Sequence, residues 1–142
     1  MQNRAIEIHD SEFDRITFEG ADALLHFPHV YIHASEGRPA IDCGTGWSQR
    51  AELRIGSARV EGSFSAESRE DGVNVLSNGH LIVNETVSNN LIPIPLDVHG
   101  NVELSLQCWS DVVHVVGNSA KLELLGEPTY IEESPGRDNK IE

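Results

Sequence analysis

Three histidines lie close together in the sequence, at positions 26, 29 and 33. Imidazole nitrogens bind metals and transfer protons near neutral pH, so this group suggests a metal site. In an extended segment, however, His29 and His33 share a face but stand roughly 13 Å apart, at about 3.3 Å per residue. His26 has the opposite parity unless Pro28 introduces a bulge. Because a metal site would need a further, distant ligand, we predict no bound metal or cofactor.

A long connection with charged and reactive side chains follows the third histidine. It covers residues 34–46 and contains Arg38, Asp42 and Cys43 together with three glycines and a proline. Connections of more than about a dozen residues are uncommon in compact domains and are often functional. Loops on a rigid sheet also carry many binding residues. The alternatives are a plain connection and a homodimer contact. The predicted binding residues are His29, His33, Arg38, Asp42 and Trp47.

No spacing in the sequence is typical of a nucleophile with its base, a metal-ligand set or a cofactor loop. Cys43 stands alone, without a histidine that would activate it. We therefore predict a non-catalytic binding or protein-interaction module whose partner is an unknown protein or small molecule. The alternatives are a cupin-like metal-dependent enzyme or metal-binding protein, which would use His29 and His33, and a small-molecule carrier.

The composition restricts the class of partner. The 142 residues are enough for one domain, and 10 basic against 23 acidic residues give a net charge of −13. Phosphate backbones and anionic membranes repel such a surface, and no run of Lys and Arg offers a local exception. We therefore predict that the protein binds neither nucleic acid nor membranes.

The sequence also indicates a compartment. No stretch approaches the roughly 20 apolar residues of a membrane span, and residues 1–4 do not begin an export signal. Cys43 and Cys108 are the two cysteines. Because a small secreted domain usually carries several disulfides, we expect two free thiols and a cytoplasmic protein.

Alternation with a period of two residues dominates the chain and predicts β-strands. The clearest case is Ala51, Leu53 and Ile55, which alternate with charged residues. No window of a dozen residues has helical periodicity. We predict an all-β fold, an antiparallel β-sandwich of about nine or ten short strands, with a closed β-barrel as the alternative. Residues 1–133 would form the domain and residues 134–142 a flexible tail.

Turn residues predict how the strands connect. Asn78-Gly79 is typical of a type I′ hairpin turn, and Gly117-Asn118 indicates a second hairpin. Gly56-Ser57 fits either a hairpin or a bulge. Pro28 predicts a bulge or bend, and the two prolines of Ile92–Leu96 predict an edge strand or an extended arm.

Several segments resemble small bacterial β-proteins that have no assigned activity. The resemblance rests on Ile6–Ser11, Ser35–Pro39, Gly44–Trp47, Gly126-Glu127 and Tyr130–Glu133. It spans most of the chain and implies a bacterial source. It implies no role for any individual residue.

Overall fold

The structure is a computed structural model that describes residues 2–64 and 74–135. Those residues form eleven strands and contain no helix, so the predicted all-β antiparallel class is confirmed. The strands are β1 (Asn3–Phe13), β2 (Arg15–Glu19), β3 (Asp22–Ser35), β4 (Gly44–Gly56), β5 (Arg59–Glu61), β6 (Asn74–Val75), β7 (Asn78–Val83), β8 (Thr86–Asn89), β9 (Leu91–Ile94), β10 (Asp97–Cys108) and β11 (Asp111–Ser134).

All eleven strands belong to one antiparallel sheet that curls into a half-barrel. The main order is β6-β1-β3-β4-β11-β10-β7-β8, with β2 paired to β3, β5 to β11 and β9 to β1. The segment after β6 links distant strands: the Leu76 amide donates to the Ser11 carbonyl in β1, and the Ser77 amide donates to the Gln107 carbonyl in β10. The core therefore lies inside one curled sheet instead of between the two stacked sheets of a sandwich.

Alternate residues of each long strand form this core, as the period of two predicts. On β4, Ala51, Leu53 and Ile55 are at most 1% exposed, and on β10 Leu104 and Leu106 are fully buried. Burying one such Leu or Ile side chain contributes about 1.5–3 kcal/mol relative to leaving it in water. The opposite, polar residues of these strands form the outer face of the sheet.

The predicted irregularity at Pro28 is a bulge. Phe27 pairs with Ala51 of β4, whereas Val30 pairs with Gln49, so β3 has one residue more than β4 between these two pairs. The extra residue reverses the parity of β3. Odd-numbered residues point inward before Pro28 and even-numbered residues after it.

The predicted Asn78-Gly79 hairpin is wrong. Both residues lie within β7, which pairs with β10. Gly79 is required there for a different reason, since a Cβ would lie 2.5 Å from the Ser105 carbonyl oxygen. The hairpin turn is Asn84-Glu85, between the paired residues Val83 and Thr86. Its two residues have φ of 48° and 78°, the positive values that a type I′ turn needs.

The predicted Gly117-Asn118 turn is also wrong, because both residues lie within β11. A Cβ on Gly117 would lie 2.4 Å from the Gly56 carbonyl oxygen, so this glycine permits the close approach of β4. The turn between β10 and β11 is Trp109-Ser110, which follows the last pair, Cys108 with Asp111.

Gly56-Ser57 interrupts a strand and does not form a hairpin. The pairs Ser119–Gly56 and Val116–Arg59 follow the same antiparallel register on β11. β4 and β5 are thus two parts of one extended path, and Ser57, with φ of 47°, lies in the break.

The proline segment lies at an edge, as predicted: among the described strands β9 pairs only with β1, and Pro93 lies opposite Ala5.

Cys43 is exposed, Cys108 is buried, and both are free thiols. The described part of the chain contains no helical segment with the length and hydropathy of a membrane span. Of the predicted tail, Ser134 ends β11, and residues 136–142 lie outside the described residues.

The turn at Asn84-Glu85 predicts that Glu85→Gly stabilises the protein. Glu85 has φ of 78°, where a Cβ is unfavourable by roughly 1–2 kcal/mol, and glycine removes that cost. We expect the free energy of unfolding in urea to rise by about 1 kcal/mol. The control Glu123→Gly, at an exposed position within β11, should lower it by about 0.5–1 kcal/mol. A loss of stability in Glu85→Gly would contradict the assigned turn.

Candidate functional site

The loop between β3 and β4 is compact and internally hydrogen bonded. The Asp42 carboxylate accepts the Arg38 backbone N–H at 2.6 Å, and the Arg38 carbonyl accepts the Ile41 and Asp42 amides at 3.1 and 2.8 Å. The Ser35 hydroxyl donates to the Cys43 carbonyl at 2.7 Å. This connection therefore has one defined shape, although it contains no regular secondary structure.

Arg38 and Asp42, two predicted site residues, lie in contact. The Arg38 Nε lies 3.4 Å from Asp42 Oδ2. The backbone N–H of Arg38, and then its guanidinium, hold the pKa of the Asp42 carboxyl below its usual value. An exposed ion pair of this kind contributes little to stability, because solvent screens the two charges. Its main effect is to fix the shape of the loop.

His33, a third predicted site residue, lies beneath this loop and is fully buried. Its Nδ1 accepts the backbone N–H of Ala40, whose φ is 71°. Its Nε2 is buried and has no hydrogen-bond partner among the described residues. Burial lowers the pKa of the imidazole, because the charged form would lose its hydration. His33 is thus a neutral anchor for the loop and is not exposed to a ligand.

His29 lies apart from the loop, next to the bulge of β3. It pairs with Glu12 of β1, and its buried Nδ1 has no hydrogen-bond partner within residues 2–64 and 74–135. The same part of the chain contains no group of three or more His, Cys, Asp and Glu side chains that could hold a metal ion.

Trp47 points to the inner face of the sheet, opposite to His33. It pairs with Ile32 on β3 and packs against the core. Its indole N–H donates to the Thr45 hydroxyl at 2.8 Å, and its ring meets the Tyr130 ring edge-on with centroids 5.3 Å apart. The structure therefore brings Arg38, Asp42 and His33 together in and under one loop but places Trp47 on the other face and His29 elsewhere.

Trp47 lines one lobe of a surface groove that begins at the start of β1. This lobe, the Trp47 lobe, has a volume of about 170 Å³, and Ile32, Ala34 and Pro128 complete its apolar wall. It opens beside Gln2 and Arg4, which also line a second lobe.

The second lobe, the proline lobe, has a volume of about 380 Å³. Pro39 of the β3–β4 loop lines it, with Leu91, Pro93 and Pro95 from β9 and the residue after it. The Asn3 side chain donates to the Gly37 carbonyl at 2.8 Å, which joins β1 to the loop at this point. The loop therefore contributes a wall of the groove, while its ion pair lies outside it. We call the two lobes together the Arg4 groove.

Arg4 lines both lobes, the Trp47 lobe on the inner face of the sheet and the proline lobe on the side of the β3–β4 loop. Arg4 is exposed, and its guanidinium forms no ion pair or hydrogen bond with a residue that the structure describes. In a protein of net charge −13, an unpaired cation between two apolar walls is a local positive site. Its charge and its fork of N–H donors suit a carboxylate or a similar anion.

The sequence predicted Trp47 but not Arg4 or the prolines of β9 as site residues. A groove assembled from positions near 4, 47, 93 and 128 leaves no local motif, since these positions meet only through the pairing of β1 with β3 and β9 and of β4 with β3 and β11. The only available signal was a single arginine at the start of the first alternating segment.

Comparisons with models of protein families, with curated proteins and with solved structures found no match to this chain.

The buried His33 predicts a loss of stability in weak acid. Its folded-state pKa lies below the ordinary value of 6.5, so the stabilisation by the neutral ring is complete above about pH 6.5 and is lost as the pH falls below it. Between pH 7.5 and 5 we expect the melting temperature of the wild type to fall measurably more than that of His33→Gln.

The matched control for this prediction is His99→Gln, which changes an exposed histidine of β10. It should keep the full acid sensitivity of the wild type. Equal pH dependence in the wild type and His33→Gln, measured by circular dichroism, would show that His33 does not anchor the loop as a neutral ring.

Proposed function

We propose that the protein is a binding module for a ligand that combines an anionic group, such as a carboxylate, with a compact apolar body. The ligand would lie in the Arg4 groove. The observation that carries the proposal is that Arg4 lines both apolar lobes and that its guanidinium has no partner among the described residues. No catalytic group is needed for this function.

The Trp47 lobe suits the apolar part of such a ligand. A volume of about 170 Å³ is comparable to the roughly 150 Å³ cavity that admits benzene in another protein. Trp47 is held by Thr45 and Tyr130, so its ring is positioned before a ligand arrives. A rigid aromatic wall contributes contact area with little loss of conformational entropy.

Arg4 suits the anionic part. A carboxylate can accept two parallel N–H groups from one guanidinium, which fixes orientation as well as charge. Because the rest of the surface is strongly acidic, a polyanion would be repelled over most of its length, whereas one small anion would meet only the local field of Arg4. The acidic surface around Arg4 therefore favours a small-molecule ligand, or a single anionic side chain or chain terminus, over a nucleic acid.

Phenylacetate and its neutral analogue phenylacetamide provide a direct test. We expect phenylacetate to shift the Trp47 indole N–H signal in a saturable way, with a Kd on the order of 1 mM for a ligand of about ten non-hydrogen atoms. The amide and the Arg4→Gln variant should each bind at least tenfold more weakly, a loss of about 1.4 kcal/mol. The measurement is a ¹H–¹⁵N NMR titration.

Arg50→Gln is the control, since it removes an equally exposed arginine whose guanidinium has no partner among the described residues. It should leave the Kd unchanged, and the signal of Trp109, which is 80% exposed at a distant turn, should not move. Equal binding of the acid and the amide, or equal losses in both arginine variants, would refute the proposed recognition by Arg4.

A further inference from the structure

A second cluster lies on the outer face of the sheet, away from the Arg4 groove. The Thr17 hydroxyl oxygen lies 2.7 Å from Nε2 of His26, and a Glu52 carboxylate oxygen lies 3.3 Å from Nδ1 of the same ring. The two nitrogens of one imidazole thus contact a hydroxyl and a carboxylate. Many acyl-transfer enzymes have this arrangement. In them the hydroxyl is the nucleophile, the imidazole is the base, and the carboxylate orients the base.

The strand register assembles these three residues. His26 of β3 pairs with Arg15 of β2 on one side and with Glu52 of β4 on the other, and Thr17 follows Arg15 on the same face of β2. The His26 and Glu52 side chains are 18% and 33% exposed, so both are partly shielded. Thr17 itself is exposed and open to a substrate.

The contacts favour one proton arrangement. A carboxylate only accepts hydrogen bonds, so Glu52 favours the tautomer with the proton on Nδ1 of His26. The lone pair on Nε2 then faces the Thr17 hydroxyl, which becomes the donor. In this state His26 can take the hydroxyl proton as a general base.

A pocket of about 220 Å³ adjoins the cluster, and His26, Glu52, Arg15 and Arg50 are among its lining residues. Arg15 is held by the Asp14 carboxylate at 2.6 Å, while the Arg50 guanidinium has no partner within the described ranges. Asp14 and Glu52 place carboxylates in the same pocket, so Arg50 is the group that suits a negatively charged acyl group and the oxyanion that forms during its transfer.

We propose that Thr17 is a nucleophile for the hydrolysis of carboxylic esters with a negatively charged acyl group. The Thr17 oxygen forms a bond to the ester carbonyl carbon as its proton moves to Nε2 of His26. The carbon–oxygen bond to the leaving alcohol then breaks, and that alcohol takes the proton. Water, deprotonated by His26, next attacks the acyl-Thr17 ester and releases the carboxylic acid and the free hydroxyl. Glu52 is a positioning residue.

The test uses the mono-p-nitrophenyl ester of terephthalate, whose carboxylate cannot reach its own ester carbonyl, with p-nitrophenyl benzoate as the neutral comparison. We expect the wild type to hydrolyse the terephthalate ester at least tenfold faster than Thr17→Val does, and faster than the benzoate. Mass spectrometry after rapid acid quenching should find the 4-carboxybenzoyl group on Thr17. Thr17→Ser should retain the activity, and Thr86→Val, the same change at an exposed position of β8, should behave as the wild type.

Glu52→Gln tests the positioning role by a second readout. We expect Glu52→Gln to hydrolyse the ester at least tenfold more slowly than the wild type, with an unchanged melting temperature. In the ¹⁵N spectrum of the His26 ring, the proton should lie on Nδ1 in the wild type and on Nε2 in the variant. Equal rates in the wild type and Thr17→Val, or an acyl group found on another residue, would overturn the proposal. Because this cluster and the Arg4 groove share no residue, that result would leave the proposed binding function intact.

Discussion

The bulge of β3 at Pro28 is the constraint on which the β3–β4 loop and the Arg4 groove depend. It adds one residue between the pairs Phe27–Ala51 and Val30–Gln49 and so reverses which residues of β3 face the core. As a result His26 before the bulge and His33 after it both point outward, although one position is even and the other odd. Without the bulge, one half of β3 would have to turn its apolar residues to solvent.

The same reversal places Ile32 opposite Trp47, and it leaves His33 on the outer face where the β3–β4 loop can cover it. The loop is then held from below by a neutral imidazole and from within by the Arg38–Asp42 contact. Its Pro39 forms a wall of the Arg4 groove. A single irregularity in one strand thus determines the position of the loop, the aromatic wall and the groove between them.

Interactions that are local in sequence could be predicted, and interactions between distant segments could not. The buried faces of β4 and β10 follow from alternation alone, and the irregularity at Pro28 follows from a proline within an alternating segment. Gly79 and Gly117 were misinterpreted as turn residues because their actual requirement, a close approach of the Ser105 and Gly56 carbonyls, comes from other strands. The hairpin turn at Asn84-Glu85 was missed because glutamate is rare at positive φ.

The candidate sites show the same limit. Trp47 was predicted from its type and position, but Arg4 comes near it only through the pairing of β1 with β3 and of β3 with β4. The three histidines of β3 do not come together, because His26 contacts Thr17 and Glu52 while His33 is buried under the loop. The residue types showed which side chains carry charged or reactive groups, and the register of the strands determined which of these side chains meet.

The register after the bulge can be measured directly by ¹³C-edited nuclear Overhauser spectroscopy in solution. The bulge predicts contacts between the Trp47 indole ring and the side chains of Ile32 and Tyr130, which lie beside it on neighbouring strands. An uninterrupted β3 would instead place Tyr31 opposite Trp47. Strong contacts between the Trp47 and Tyr31 rings, with none from Trp47 to Ile32, would contradict the fold of this region and with it the Arg4 groove.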